Sequence, residues 1–274
     1  MQFVPSPEEM PLEGSRPRVG LCSVTLRGHK PQEVIELAAQ AGLDSIEWGS
    51  DVHVPAGDSA LAALIGAQTR AAGLTVSSYG SYFRFPWSKP PGEEADAVIG
   101  SALALGAPRI RVWAGPTGSG QTDPHERRMI TESLQAFCTK SAKAGLETSV
   151  EFHLGTLADT AESTLQLLHD LGDEVTTYWQ PRIGATDEEA LEDLQHLGSK
   201  VSTVHVFSWG SKFDRHLLDT RAEMWRNAVR LTVQLPSVTD LLLEFLPNDD
   251  ASLLPSEARQ LKTWLEDAME RSAA

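Results

Sequence analysis

The chain has 274 residues, of which 41% are hydrophobic, and its 38 acidic against 23 basic residues give a net charge of −15. This length can bury one large core, while the acidic surplus without a basic patch disfavours binding to nucleic acid. The absence of an 18-residue apolar run excludes a transmembrane helix, so no membrane partner is expected.

The N-terminal residues and the cysteines bear on the cellular compartment of the protein. The opening residues MQFVPSPEEMPLEGSRP lack a basic region followed by an apolar stretch, so no secretion signal is expected. Cys22 and Cys138 are the only cysteines and have no metal-type spacing. They are interpreted as small buried hydrophobes in a reduced, cytoplasmic protein.

Short apolar runs alternate with amphipathic stretches along the whole chain. The predicted strands begin, in chain order, at Arg18, Asp44, Leu74, Arg109, Glu147, Val175, Val201 and Asp240. The helical stretches between them often start at Pro and stop at Gly, as in the stretch with Pro31 in its first turn and Gly42 after its end.

Eight strand–helix units predict a single closed α/β (β/α)₈ TIM barrel over residues 18–274, preceded by a short irregular arm over residues 1–17. Strands that alternate with helices pair in parallel through right-handed crossovers. A doubly wound open sheet is the alternative, but the glycine fingerprint that binds phosphate after the first strand is absent.

Alternation along the strands predicts which side chains point into the barrel. Leu243 and Phe245, for example, share the parity that faces the helices, which leaves Glu244 pointing inward. The inward polar residues near the C-terminal ends of strands, where barrel active sites gather, are Glu47, Arg111, Glu151, His153, Gln180, His205 and Glu244.

Three of these residues suggest metal chemistry. Glu151, His205 and Glu244 lie on the fifth, seventh and eighth strands, and two carboxylates with an imidazole are suitable ligands for Mn²⁺, Mg²⁺, Co²⁺ or Zn²⁺. Such an ion would hold a carbonyl oxygen and the neighbouring hydroxyl of a substrate. One glutamate would then remove the acidified proton and another would return it.

The segments EWGSDVHVPAGD, RIRVWAG, SVEFH and VHVFSW…FDRHLL, in this order, resemble the sugar phosphate isomerase/epimerase family with the xylose isomerase-like barrel. The resemblance spans about Arg18 to Glu270. It implies one divalent ion held by the residues of strands five to eight, with two catalytic glutamates. The residues at those positions are Glu151, Gln180, His205 and Glu244, of which Glu151 and Glu244 are the catalytic pair.

The same resemblance implies a sugar pocket lined by Glu47, His53 and Arg111, with Arg215 contributed by the loop after strand seven. His153 and the strand-end aromatics Trp113 and Trp209 are further candidates for substrate contact, since aromatic faces stack on sugars; packing explains them equally well.

Gln180 departs from the family pattern. The family commonly has Asp there with His three residues later, whereas this chain has Gln180 and Ile183. An amide oxygen ligates hard cations but carries no charge, so weaker metal binding is expected.

The function expected from the sequence is a metal-dependent isomerase or epimerase of a keto or aldo sugar, acting through an enediolate. A lyase or dehydratase, for example on a 3-keto-glycoside or cyclitol, is the alternative because it needs the same proton abstraction. A non-catalytic sugar-binding barrel with a degenerate metal site is also left open, as are the sugar, the metal and a homo-oligomeric state. A phosphodiesterase like the apurinic-site endonuclease is disfavoured, because it needs more His and Asp ligands and a basic surface.

Overall fold

The computed structural model describes residues 16–85, 93–210 and 212–272. The predicted arm therefore lies outside the described residues, apart from its last two. Eight strands alternate with eight α-helices in the described part of the chain. The strands are β1 (Arg18–Cys22), β2 (Ser45–Gly49), β3 (Thr75–Arg84), β4 (Arg109–Trp113), β5 (Glu147–Glu151), β6 (Thr176–Trp179), β7 (Val201–Val206) and β8 (Asp240–Leu243).

Each barrel strand is followed by one helix. The helices are α1 (Pro31–Gln40), α2 (Ser59–Ala71), α3 (Glu93–Leu105), α4 (Pro124–Lys143), α5 (Ala161–Leu171), α6 (Asp187–Leu197), α7 (Ala222–Val233) and α8 (Leu254–Ser272). A pair of two-residue antiparallel strands, Ser208–Trp209 and Arg215–His216, shapes the loop between β7 and α7.

The strands form a closed parallel barrel in the order β1-β8-β7-β6-β5-β4-β3-β2, so the predicted (β/α)₈ barrel is confirmed. The register sets which side chains meet inside it. Cys22 pairs with Glu47 across β1 and β2, and Leu242 pairs with His205 across β8 and β7. Parallel closure therefore brings the C-terminal tips of all eight strands to one rim.

Hydrogen bonds from nearby side chains define where the helices begin. Thr186 and Glu189 form a capping box at the start of α6, each side chain bonding the other residue's backbone N–H. Asp123 accepts two backbone N–H bonds at the start of α4. These side chains satisfy donors that a helix end leaves free, so the strand–helix boundaries are fixed by short-range chemistry.

The main apolar core lies between the strands and the helices. Trp48 on β2 is fully buried there and donates its indole N–H to Thr69 on α2 at 3.1 Å. At the N-terminal end of the barrel, Asp240 is completely buried and accepts bonds from Arg18 and Ser45. These polar contacts stabilise the N-terminal end of the barrel, and the candidate site lies at the opposite rim.

Among the described residues, none of the helices combines the length and the apolar composition that a membrane span requires.

Candidate metal centre

His205, on β7, is the centre of the polar cluster at the C-terminal ends of the strands. Its side chain is fully buried. On one edge of the ring, Nδ1 lies 3.3 Å from Gln180 Oε1, 3.3 Å from Glu244 Oε2 and 3.8 Å from Glu151 Oε1. Three oxygens, one from β5 and two from the residues that directly follow β6 and β8, thus converge on a single nitrogen.

The other edge of the His205 ring faces different neighbours. Nε2 lies 3.4 Å from Glu47 Oε1 and 4.0 Å from the sulfur of Cys22. Cys22 donates its thiol proton to the same Glu47 oxygen at 3.1 Å, and Ser78 donates to the second oxygen at 2.7 Å. The imidazole is therefore flanked by acceptors on both sides.

Arg111 connects two of the carboxylates. Its Nη1 donates to Glu151 Oε2, which also accepts the indole N–H of Trp113. Its Nε lies 3.2 Å from Glu47 Oε1 but is poorly aligned for a hydrogen bond, so this contact is chiefly electrostatic. One oxygen of Glu151 is thereby occupied by protein donors, while Oε1 is directed towards His205.

Charge pairing outweighs burial for these groups. Burial alone favours the neutral forms, yet Arg111 and His205 hold the pKa values of Glu47 and Glu151 below their usual range. Burial likewise works against a charged His205, but Glu244 and other neighbours raise its pKa well above the ordinary value. Burial, followed by the charge on Glu47, raises the pKa of the Cys22 thiol. The neighbouring carboxylates therefore favour the protonated form of the imidazole.

The backbone turns sharply directly after Glu244. Phe245 has a φ of 61°, a left-handed conformation uncommon for a bulky residue. Its N–H donates to Thr25 Oγ1 at 2.9 Å, which stabilises the turn. The prediction that Phe245 faces the helices is wrong, because this turn takes it out of the strand alternation and into the pocket wall.

A cavity of about 250 Å³ lies above the cluster, slightly smaller than the roughly 300–1,000 Å³ of most small-molecule sites. Two pairs of aromatic side chains form its walls. Trp113 stacks on His153 with ring centroids 4.2 Å apart, and Trp209 packs against Phe245 at 4.9 Å. Arg215 lies 4.4 Å over the Phe245 ring and forms an ion pair with Asp249.

Most of the residues predicted from sequence line this cavity. They are Arg111, Trp113, Glu151, His153, Gln180, Trp209, Arg215 and Glu244. His205 and Glu47 lie directly beneath it and are fully buried.

His53 is not brought to the cavity. It is buried beside Trp48, and its ring nitrogens contact Ser23 Oγ and the carbonyl of His29, each at 3.0 Å. With both nitrogens engaged by the protein, His53 supports the loop after β2, which corrects the prediction that it lines the pocket.

Sequence reasoning missed several residues of the site, including Cys22. Cys22 is buried as expected, but it contacts Glu47 and His205 and is not a plain packing residue. Strand alternation in RVGLC, where Val19 and Leu21 face the helices, was the signal that could have found it. Tyr82 and Arg27 also line the cavity, and no sequence signal singled them out.

The donor atoms around His205 Nδ1 fit a divalent ion. Three oxygens and one nitrogen are ligand types that Mg²⁺, Mn²⁺, Co²⁺ and Zn²⁺ accept. Bonds of about 2.0–2.2 Å place neighbouring ligand atoms roughly 3 Å apart. Each of the three oxygens lies 3.3–3.8 Å from Nδ1, so the side chains would have to draw together around an ion. Glu151, Gln180, His205 and Glu244 would hold such an ion at the floor of the cavity.

Comparison with known proteins agrees with this fold. The family described as xylose isomerase-like TIM barrel matches residues 35–218, more than half of the chain. No curated protein matches the sequence.

Several solved structures share the fold at low sequence identity. The probable 3-DHS dehydratase AsbF of Bacillus anthracis superposes with a TM-score of 0.73 at 15% identity, covering 89% of this chain and 98% of that one. D-psicose 3-epimerase, solved in the presence of D-fructose, gives 0.66 at 14% identity, covering 90% and 97%. The IOLI protein with a bound zinc atom gives 0.66 at 13% identity, covering 93% and 98%.

The fold, the ordered set of strand-tip residues and the family match agree, and the chain belongs to the xylose isomerase-like TIM barrel family.

Proposed function

We propose that this protein is a divalent-metal-dependent isomerase or epimerase of a keto or aldo sugar or sugar derivative. The observation that carries the proposal is the convergence of Glu151, Gln180 and Glu244 oxygens on His205 Nδ1 at the floor of a cavity. A divalent ion bound there supplies Lewis-acid polarisation of a substrate carbonyl, which acidifies the neighbouring C–H.

The two glutamates have unequal roles in this proposal. Glu151 is anchored by Arg111 and Trp113, which fixes its orientation and keeps it ionised. Glu244 has no arginine partner in the described residues and lines the cavity on another strand. Glu244 is therefore assigned the removal of the substrate proton, and Glu151 the orientation of the enediolate and the return of a proton.

The aromatic walls suit a sugar-sized substrate. Trp113 with His153 and Trp209 with Phe245 present apolar faces, which can pack against the C–H faces of a ring while polar groups fix its hydroxyls. Arg215, at the cavity edge, is assigned to substrate oxygens. The similarity to a D-psicose 3-epimerase supports this substrate class.

A lyase or dehydratase is the second candidate. Gln180 and Ile183 stand where the family commonly has Asp and His, which removes a charged ligand and a contact to substrate oxygens. The similarity to a probable dehydratase points the same way. In this case Glu244 removes the substrate proton, and a hydroxyl or an aglycone then leaves from the neighbouring carbon.

Incubation with ketoses and 3-keto-glycosides in D₂O with Mn²⁺, followed by NMR, tests the proposal. Deuterium entry at the carbon beside the carbonyl without elimination supports the isomerase, and release of water or an aglycone supports the lyase. Glu244→Gln should abolish exchange, whereas Glu266→Gln, an exposed change on α8, should leave it intact. Exchange that survives Glu244→Gln contradicts the assignment. If the purified protein contains no metal and its affinity for sugar is unchanged in both Glu151→Gln and Glu244→Gln, the protein is a sugar-binding barrel.

A further inference from the structure

We propose that Cys22, Glu47 and Nε2 of His205 form a second cation site, specific for thiophilic divalent ions such as Zn²⁺ or Cd²⁺. This site lies on the opposite edge of the imidazole from the oxygen-rich centre. The structure places three donors of different elements together, all fully buried.

The spacing of the three donors matches a tetrahedral ion. Bonds of about 2.3 Å to sulfur and about 2.0–2.1 Å to nitrogen and oxygen imply donor separations of roughly 3.3–3.6 Å. The separations are 3.1 Å for Cys22 Sγ to Glu47 Oε1, 3.4 Å for Glu47 Oε1 to His205 Nε2 and 4.0 Å for sulfur to Nε2. Glu244 Oε1 also lies 4.0 Å from the sulfur.

Such an ion binds the deprotonated forms of its ligands. Cys22 would bind as a thiolate and His205 through the lone pair of Nε2, and the displaced protons would leave for solvent. Ser78 continues to hold the other oxygen of Glu47.

The two cation sites exclude one another because a neutral imidazole has a single lone pair. An ion on Nδ1 leaves Nε2–H donating to Glu47, and an ion on Nε2 leaves Nδ1–H donating to Gln180 Oε1. A neutral amide oxygen is a good acceptor for that N–H and a weaker metal ligand than a carboxylate. Gln180 thus shifts the balance towards the sulfur side for ions that prefer sulfur.

Occupation of the sulfur side has a functional consequence, which rests on the proposed function. Cys22, Glu47 and His205 do not line the cavity, whereas Glu151, Gln180 and Glu244 do. An ion on the sulfur side would take His205 from the oxygen-rich centre without facing substrate. Cd²⁺ would therefore inhibit an enzyme that Mg²⁺ or Mn²⁺ activates.

Ultraviolet titration of the full chain with Cd²⁺ tests the site directly. Wild-type protein and Cys138→Ser should show a sulfur-to-cadmium charge-transfer band that saturates at one ion per chain. Cys22→Ser should lose the band and bind Cd²⁺ at least about tenfold more weakly. Cys138 is the matched control because it is the other cysteine and lies half-buried on α4.

The second arm follows Mn²⁺ by electron paramagnetic resonance. Cd²⁺ should release bound Mn²⁺ from wild type, and Cys22→Ser should need at least about tenfold more Cd²⁺ for the same release. Cys22→Ala, checked for folding by circular dichroism, repeats the test without a hydroxyl. Absence of the band in wild type, or a band that survives Cys22→Ser, overturns the proposal. A band without sugar exchange in D₂O would refute the proposed function alone.

Discussion

At the scale of single residues, Gln180 is the most informative departure from the family pattern. The resemblance to the family implies a charged metal ligand at this position, and Gln180 Oε1 lies 3.3 Å from His205 Nδ1. The cluster around it contains Glu47, Glu151 and Glu244 against the cations Arg111 and His205. A neutral amide keeps the acceptor geometry while lowering the negative charge that would attract an ion.

Gln180→Asp should strengthen Mn²⁺ binding. The added charge faces the same nitrogen, and we expect a gain on the order of tenfold, or about 1.4 kcal/mol. Isothermal titration calorimetry measures it, with Gln135→Asp on the exposed face of α4 as control. Unchanged affinity would mean that Gln180 does not contact the ion.

Arg111→Met should destabilise the fold. It removes the arginine that pairs with the buried Glu47 and Glu151, and breaking a buried pair costs about 3–5 kcal/mol. Urea unfolding in the presence of a chelator measures the loss. Adding Glu47→Gln to Arg111→Met should restore part of the stability, since one unpaired charge is then removed. A double variant no more stable than Arg111→Met would argue against the ion pair as the cause.

At the scale of elements, the contact between α2 and α3 depends on one glycine. A Cβ on Gly66 would overlap the carbonyl of Leu105 at the end of α3. Backbone cannot move aside as a flexible side chain can, so the two helices approach closely only with Gly at this position. Close packing between neighbouring helices holds them against the barrel. It thereby helps to keep the strand tips in register.

Gly66→Ala should destabilise the protein by about 1–3 kcal/mol through this overlap. Gly100→Ala is the matched change on α3, where a new Cβ would meet only Ser59 Oγ at 3.8 Å. Alanine has the higher helix propensity, so Gly100→Ala should stabilise by about 0.5–1 kcal/mol. Thermal unfolding of both variants separates the effects, and equal shifts in Tm would contradict the packing argument.

At the scale of the whole molecule, the sequence was sufficient to predict the barrel but not all of the site. Apolar periodicity and the Pro and Gly signals located eight strands and eight helices, since these patterns are local. Strand alternation located Glu151, His205 and Glu244 on the inside. It did not show that Arg111 pairs with two glutamates or that Cys22 reaches His205, because those contacts join distant strands. Phe245 was mispredicted because a positive φ breaks the alternation.

Anomalous X-ray diffraction from crystals grown with Mn²⁺ tests the central claim most directly, because it locates the ion without reference to activity. One anomalous peak per chain is predicted at the floor of the cavity, bound by His205 Nδ1 with Glu151, Gln180 and Glu244. A fully occupied ion elsewhere, or no ion under conditions where Mn²⁺ is in large excess, would contradict the account.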